Sequence, residues 1–274
     1  MITRTIPALA AVSLFALTAA LPTLANAQDS ADLGPICTDR PTKANSTCTV
    51  PTGHWQVETD VANFTRTEVG DVRTDTLIAP NPYVKYGLSD TMDLQVTWAP
   101  YIRTKVRDRA LGTTDEVDGV GDVYVRLKAR LAQGETWSWG LIPFVKIPTA
   151  SDGIGNDAWE GGLAAPVNFA LGGGYSLTFG PEIDVLKDSD RDGRHVALIN
   201  VVNVAKPVND KITLVGELWS SVNFDPVDTI EQYSADVAAT YLINPNVQLD
   251  VGANFGLNET TPDVQVYVGI SSRF

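Results

Sequence analysis

This sequence predicts an all-β chain folded as a transmembrane antiparallel up-and-down β-barrel of about twelve strands. Three observations carry that prediction. The last twelve residues, 263–274, alternate between two faces, with Val264, Val266, Val268, Ile270 and Phe274 on one parity and Asp263, Gln265, Tyr267, Gly269, Ser271 and Arg273 on the other. Similar stretches of roughly ten residues recur from Gly53 onward, separated alternately by tight turns and longer polar loops. On the parity assigned outward, Trp55, Tyr86, Trp137, Trp139, Tyr175, Tyr241 and Phe274 fall at the ends of those stretches, where rings sit at a membrane interface.

The N-terminus frames the rest. Residues 1–27 carry one cationic side chain, Arg4, then an apolar run from Ile6 to about Leu24 and a small-x-small site, Ala25-Asn26-Ala27. This pattern predicts a secretory signal peptide, so the mature chain starts near Gln28. Residues 28–52 then form a segment ahead of the first strand, expected to lie in the periplasm or to enter the lumen, and 53–274 form the barrel. Cys37 and Cys48 are the only cysteines, and an oxidising compartment favours a disulfide between them over free thiols.

The predicted strands run over 54–65, 74–87, 92–103, 121–131, 137–148, 159–171, 175–186, 195–206, 211–222, 231–242, 247–256 and 263–274. The first three are bounded by Trp55, Tyr86 and Trp98 and by the tight connection 88–91. The fourth is the clearest, with Val123, Val125, Leu127, Ala129 and Leu131 against Asp122, Tyr124, Arg126, Lys128 and Arg130. Trp137 and Trp139 open the fifth, and Gly172-Gly173-Gly174 separates the sixth from the seventh. That triplet reads as a hairpin turn, because no Lys-Ser/Thr and no helix follow it. Both parities of the eighth strand are largely apolar, which leaves its register undecided. Tyr241 marks the tenth, and the eleventh sets Val247, Leu249, Val251, Ala253 and Phe255 against Gln248, Asp250, Gly252 and Asn254.

Connections 88–91, 132–136, 172–174, 207–210 and 243–246 are short, whereas Thr104 to Val120, Ser151 to Ala158 and Lys187 to Arg194 read as long polar loops. Trp55, Tyr86, Trp137, Trp139, Tyr175, Tyr241 and Phe274 would make the girdle on the short-turn side, with Trp98, Trp159 and Phe224 in the opposite one. An even strand count returns both termini to one side.

With these pieces in place, the region from about Arg40 to Phe274 resembles the outer-membrane transporter family named for the meta-pathway of phenol degradation. The matching residues are Arg40-Pro41, Val50-Pro51-Thr52-Gly53, Tyr86-Gly87-Leu88-Ser89, Gly121-Asp122-Val123, Lys146-Ile147-Pro148-Thr149, Glu217, Leu249-Asp250-Val251-Gly252, Gly256-Leu257-Asn258, Pro262-Asp263 and Arg273-Phe274. Ala150 departs from the glycine of a Pro-Thr-Gly turn. The resemblance implies an outer-membrane barrel with a role in uptake of small aromatic or hydrophobic compounds. It transfers no catalytic or ligand-binding residue.

Charge on the inward parity bears most directly on function. Arg126, Lys128, Arg130 and Lys146 form a basic wall that would face Asp236 and Asp250 across the ring, as the lining of a selective pore. The same cations could instead pair with Asp93, Asp122, Glu182, Asp184 and Glu217 and fill the lumen. Asp188, Asp190 and Asp192 begin a calcium-loop pattern whose twelfth position is Ile199, so a weak cation site competes with a solvated loop.

Two function classes therefore stand side by side: a channel for passive uptake of small solutes, and a non-conducting structural or binding barrel. A lipid hydrolase is a third, limited by the presence of only two histidines, His54 and His195. No cofactor motif is expected, and the formal net charge of −13 disfavours nucleic acid as a partner. The expected partners are outer-membrane lipid, small solutes and the barrel-assembly machinery, which would read the final strand ending in Phe274. The barrel is expected to be monomeric or weakly oligomeric.

Overall fold

The computed structural model describes residues 33–190 and 192–274. The predicted signal peptide, 1–27, lies outside the described residues, as does the start of the segment that follows it.

Seventeen strand segments form one sheet, and end-to-end continuation of some of them leaves a closed ring of twelve antiparallel strands. In chain order these are β1 (Trp55–Val69), β2 (Val72–Ile78) running into β3 (Asn81–Ser89), and β4 (Met92–Thr97) running into β5 (Ile102–Asp108). Next come β6 (Thr113–Gly119) into β7 (Val123–Gln133), β8 (Trp137–Ile147), β9 (Glu160–Ala164) into β10 (Val167–Ala170), and β11 (Ser176–Phe179) into β12 (Glu182–Lys187). The last five strands are continuous: β13 (Arg194–Pro207), β14 (Ile212–Phe224), β15 (Thr229–Asn244), β16 (Val247–Gly256) and β17 (Val264–Arg273).

Proline explains most of the interruptions. Pro80, Pro100, Pro166 and Pro181 fall in four of the five breaks, where a residue without an N–H cannot continue the ladder. The ring closes where β1 pairs with β17, from Gln56 opposite Arg273 to Arg66 opposite Val264. At its rim Phe274 N donates to Trp55 O at 2.8 Å, and Trp55 N donates back to Phe274 O at 3.2 Å.

Side chains divide as a membrane barrel requires. Trp55, Trp137, Tyr175, Tyr241 and Phe274 are exposed on the outer face at the short-turn rim, where Trp55 also packs on Tyr86 with ring centres 4.7 Å apart. The buried set is dominated by polar and charged groups, among them Glu58, Lys85, Asp93, Lys128 and Asp250. Hydrocarbon lies outside this wall and polar contacts inside it, the reverse of a soluble core.

Two expectations need correction, and one open register is settled. The stretch from Thr104 to Val120 is mostly strand: β5 and β6 pair from Ile102 opposite Gly119 to Asp108 opposite Thr113. Its polar, charged alternation reads as loop because the hairpin carries no continuous apolar stripe. Trp98 does not join the outer girdle; it lies in the break after β4 and lines the interior. The undecided eighth strand is β13, whose His195, Ala197, Val201 and Asn203 are buried while Leu198, Val202 and Val204 are exposed. His195 and Asn203 lie inside and Asn200 outside, so side-chain polarity favours this face by two to one.

Candidate functional site

The lumen is occupied by the chain's own N-terminal segment. It enters from the short-turn rim, where Arg273 Nη2 donates to Gly34 O at 2.7 Å and Ile36 N donates to Pro245 O at 2.7 Å. Cys37 and Cys48 are joined by a disulfide that closes the intervening residues into a loop.

A buried irregular segment must find partners for its backbone groups, and here inward side chains of the wall provide them. Glu58 accepts from the N–H groups of Asp39 and Arg40, each at 3.0 Å. Glu217 accepts from Lys43 N at 3.0 Å and Ala44 N at 3.1 Å. Asn168 Oδ1 takes Thr47 N and Asp93 takes Val50 N, each at 2.9 Å. The last turn of the segment passes so close to β3 that a Cβ on Gly87 would lie 2.0 Å from Pro51 O, so only glycine fits there.

Charge then sets the orientation of the segment. Asp39 meets the basic wall: Lys85 Nζ lies at 2.6 Å, and Lys128 Nζ donates to its other oxygen. Lys85 also pairs with Glu58. Arg40 meets the acidic wall, with Nη2 2.6 Å from Asp250 and Nη1 2.7 Å from Asp60. Lys43 reaches Asp236 at 2.8 Å and Ser234 Oγ at 2.7 Å, and its Nζ lies 4.6 Å from the Trp219 ring centre. Burial would raise the Asp39 carboxyl, but Lys128, Lys85 and Arg126 outweigh it and hold the group well below the usual carboxylate range.

Basic and acidic walls therefore do not face each other across water; the segment lies between them with a complementary charge for each. The six pore-lining candidates separate accordingly. Lys128, Asp236 and Asp250 are buried beneath the segment. Arg130 sits at the short-turn rim, where Nη2 holds Asp90 O at 2.8 Å. Lys146 lies toward the long-loop end, paired with Glu160 at 2.7 Å and Asp122 at 3.4 Å. Arg126 borders open space.

That space is a chamber of about 620 Å³ on the long-loop side of the segment. Asp39 to Lys43 and Asn45 contribute to its floor, and Tyr83, Trp98, Tyr124, Phe144 and Tyr267 to its walls. Glu58, Asp60 and Lys85 were not singled out from sequence, although each lies on an inward parity. Asp39 and Lys43 carry no signal and Arg40 only its place in the family resemblance, since nothing local says which wall the segment will meet.

The calcium-loop pattern resolves differently. Asp188 is buried and accepts from His195 Nδ1 at 3.0 Å, with Asp225 3.6 Å from the same nitrogen. Among the described residues no group of three or more His, Cys, Asp or Glu could hold a metal ion. Ser189 Oγ donates to Asp225 at 2.8 Å and His54 Nδ1 lies 3.0 Å from Thr52 O. No serine hydroxyl hydrogen-bonds to either histidine among the described residues.

The family whose profile matches residues 38–274 is described as "Putative MetA-pathway of phenol degradation". The chain belongs to this family. Among solved structures, an outer-membrane channel from Pseudomonas putida F1 is similar over 85% of this chain and 100% of its own, with TM-score 0.64 and 17% identity. The translocator domain of the autotransporter NalP from Neisseria meningitidis covers 81% of this chain and 89% of its own, with TM-score 0.54 and 13% identity. The NanC porin covers 80% and 98%, with TM-score 0.51 and 9% identity. At such identities the likeness is one of fold: this family member is an outer-membrane β-barrel. No curated protein matches it in sequence.

Proposed function

We propose that the protein is an outer-membrane channel for passive entry of small solutes, closed at rest by its own N-terminal segment. The observation that carries this reading is how the segment is held. Its ties are ion pairs and hydrogen bonds from a polar wall, each of which water can replace, and the barrel's ladder does not run through it. A solute-sized chamber already stands on the outer side of the closure. The P. putida channel, as its name describes it, is also an outer-membrane channel, which supports the reading. Small solutes with hydrophobic or aromatic character suit the rings that line the chamber. Export behind the 1–27 signal peptide, and insertion by an assembly machinery that reads the strand ending in Phe274, complete the proposal.

A second reading draws on the same burial. Lys85 and Lys128 are almost wholly enclosed, which suits a permanently filled barrel that anchors its loops for a partner. Single-channel recording in planar bilayers separates the two. The mature protein should conduct in brief openings and a variant lacking residues 28–52 should conduct steadily. Absence of current from both, with folded barrel present, would leave the anchoring role.

A further inference from the structure

Arg126 on β7 is unlike the cations around it. Arg40, Lys43, Lys85, Lys128 and Lys146 each lie within ion-pair distance of a carboxylate. Among the described residues Arg126 makes no ion pair. Its Nη2 donates to Asn45 Oδ1 at 2.6 Å, its guanidinium carbon lies 5.7 Å from the Tyr83 ring centre, and its Nε is buried without a hydrogen-bond partner. An unmade buried donor costs on the order of 1–3 kcal/mol, more when charged. A planar fork of donors with one neutral partner is suited to a carboxylate, which can take two of them at once.

The surroundings define what carries that carboxylate. Arg126 lines the 620 Å³ chamber together with Tyr83, Trp98, Tyr124, Phe144 and Tyr267. The Tyr124 and Phe144 rings are tilted by 43° with centres 6.5 Å apart, an aromatic corner on the same wall. Of the acids lining the chamber, Asp39, Glu58, Asp60 and Asp122 are each engaged by a cation. Glu182 is not ion-paired there among the described residues, and it competes for Arg126.

We propose that this chamber is a binding site for small aromatic carboxylates, with Arg126 holding the carboxylate and the surrounding rings packing the aromatic part. Asn45 belongs to the inserted segment, so a bound carboxylate competes with the segment for one guanidinium and loosens one of its ties. The inference deepens the channel reading and rests on it for the solute's route; binding itself is measurable without any current.

Equilibrium dialysis of the folded mature protein in detergent, with benzoate, benzyl alcohol and acetate as probes, tests the assignment. Benzoate should bind saturably, about ten-fold tighter than either benzyl alcohol, which lacks the charge, or acetate, which lacks the ring. Arg126→Gln should bring benzoate down to the level of benzyl alcohol and leave benzyl alcohol unchanged. Asn45→Ala, which keeps Arg126 and removes its competitor, should raise benzoate affinity a few-fold, and so should Glu182→Gln. Equal binding of benzoate and benzyl alcohol, acetate binding as well as benzoate, a preference that survives Arg126→Gln, or weaker benzoate binding by Asn45→Ala would each overturn it. Benzoate binding without bilayer conductance would remove the channel and leave the site; conductance without that preference would do the opposite.

Discussion

Arg40 and Asp250 are 210 residues apart in sequence, yet the guanidinium grips the carboxylate through Nη2 at 2.6 Å and Nε at 3.2 Å. The guanidinium lies close over Gly269, where a Cβ would come within 2.2 Å of Arg40 Nη2. Removing one partner of a buried pair costs about 3–5 kcal/mol when the other is stranded. Asp250→Asn should cost less, because Arg40 keeps Asp60, and Gly269→Ala should displace the guanidinium without changing any charge. Both should expose the segment to trypsin at Lys43, raising the cleavage rate of folded protein about ten-fold or more. Equal rates in wild type and both variants would show that Arg40 does not hold the segment.

Asp39 is the segment's contact with the other wall. Replacing it by Asn leaves Lys128 without its carboxylate partner under the segment and Lys85 with Glu58 alone. The penalty, again about 3–5 kcal/mol for a stranded buried charge, is relieved when the segment leaves and water enters. Asp39→Asn should therefore raise the open fraction in bilayer recordings while the barrel's heat-dependent shift in gel mobility stays as in wild type.

The direction of the Asp39 shift sets that residue's own part in the closure's response to acid. A carboxylate depressed in the folded state contributes its full stabilisation above its unfolded value, about pH 4, and loses it only as the pH falls toward the depressed value. Its contribution should thus be constant from about pH 5 to pH 8. Any change in trypsin cleavage at Lys43 between pH 8 and pH 6, after correction for the enzyme's own profile, should therefore be the same in wild type and Asp39→Asn, and an acceleration confined to wild type would contradict this.

The Cys37–Cys48 bridge restricts the segment when it is undocked. A loop of this size contributes roughly 2–4 kcal/mol in the chain-entropy account. Cys37→Ser with Cys48→Ser should lengthen channel openings, and thiol reductant should reproduce the effect in wild type but not in the double variant.

Sequence reasoning reached the barrel because lipid imposes one rule on every strand, and period-two alternation records that rule locally. It placed Val264 to Phe274 and Val123 to Leu131 on their correct faces for this reason. It failed at Trp98, where a proline break interrupts the period, and at Thr104 to Val120, where a regular hairpin lacks an apolar stripe. Inward charges such as Lys128 and Asp250 could be read as inward. Their partners could not, because Asp39 and Arg40 reach them through folding of a segment with no repeat. The register shift between Asp60 and Ala62 in β1 likewise moves the inward parity by one, from Asp60 to Asn63, without a mark in composition.

Deleting Phe274 removes the backbone pair with Trp55 and one ring of the rim girdle. The level of heat-modifiable barrel in outer-membrane fractions should drop several-fold, and Phe274→Trp should restore most of it. A drop of similar size in Phe274→Trp would indicate that the side chain's exact shape, and not its interfacial ring, is read.

The pairing of the first strand with the last also imposes an order of events. Synthesis makes residues 33–54 before any strand exists, yet nothing can enclose them until residue 274 has been made and its neighbour found. A part of the chain made ahead of every strand is thus enclosed only after the strands have closed. The two walls that the segment's charges distinguish therefore take up their final places only when the seam between Trp55 and Phe274 is made.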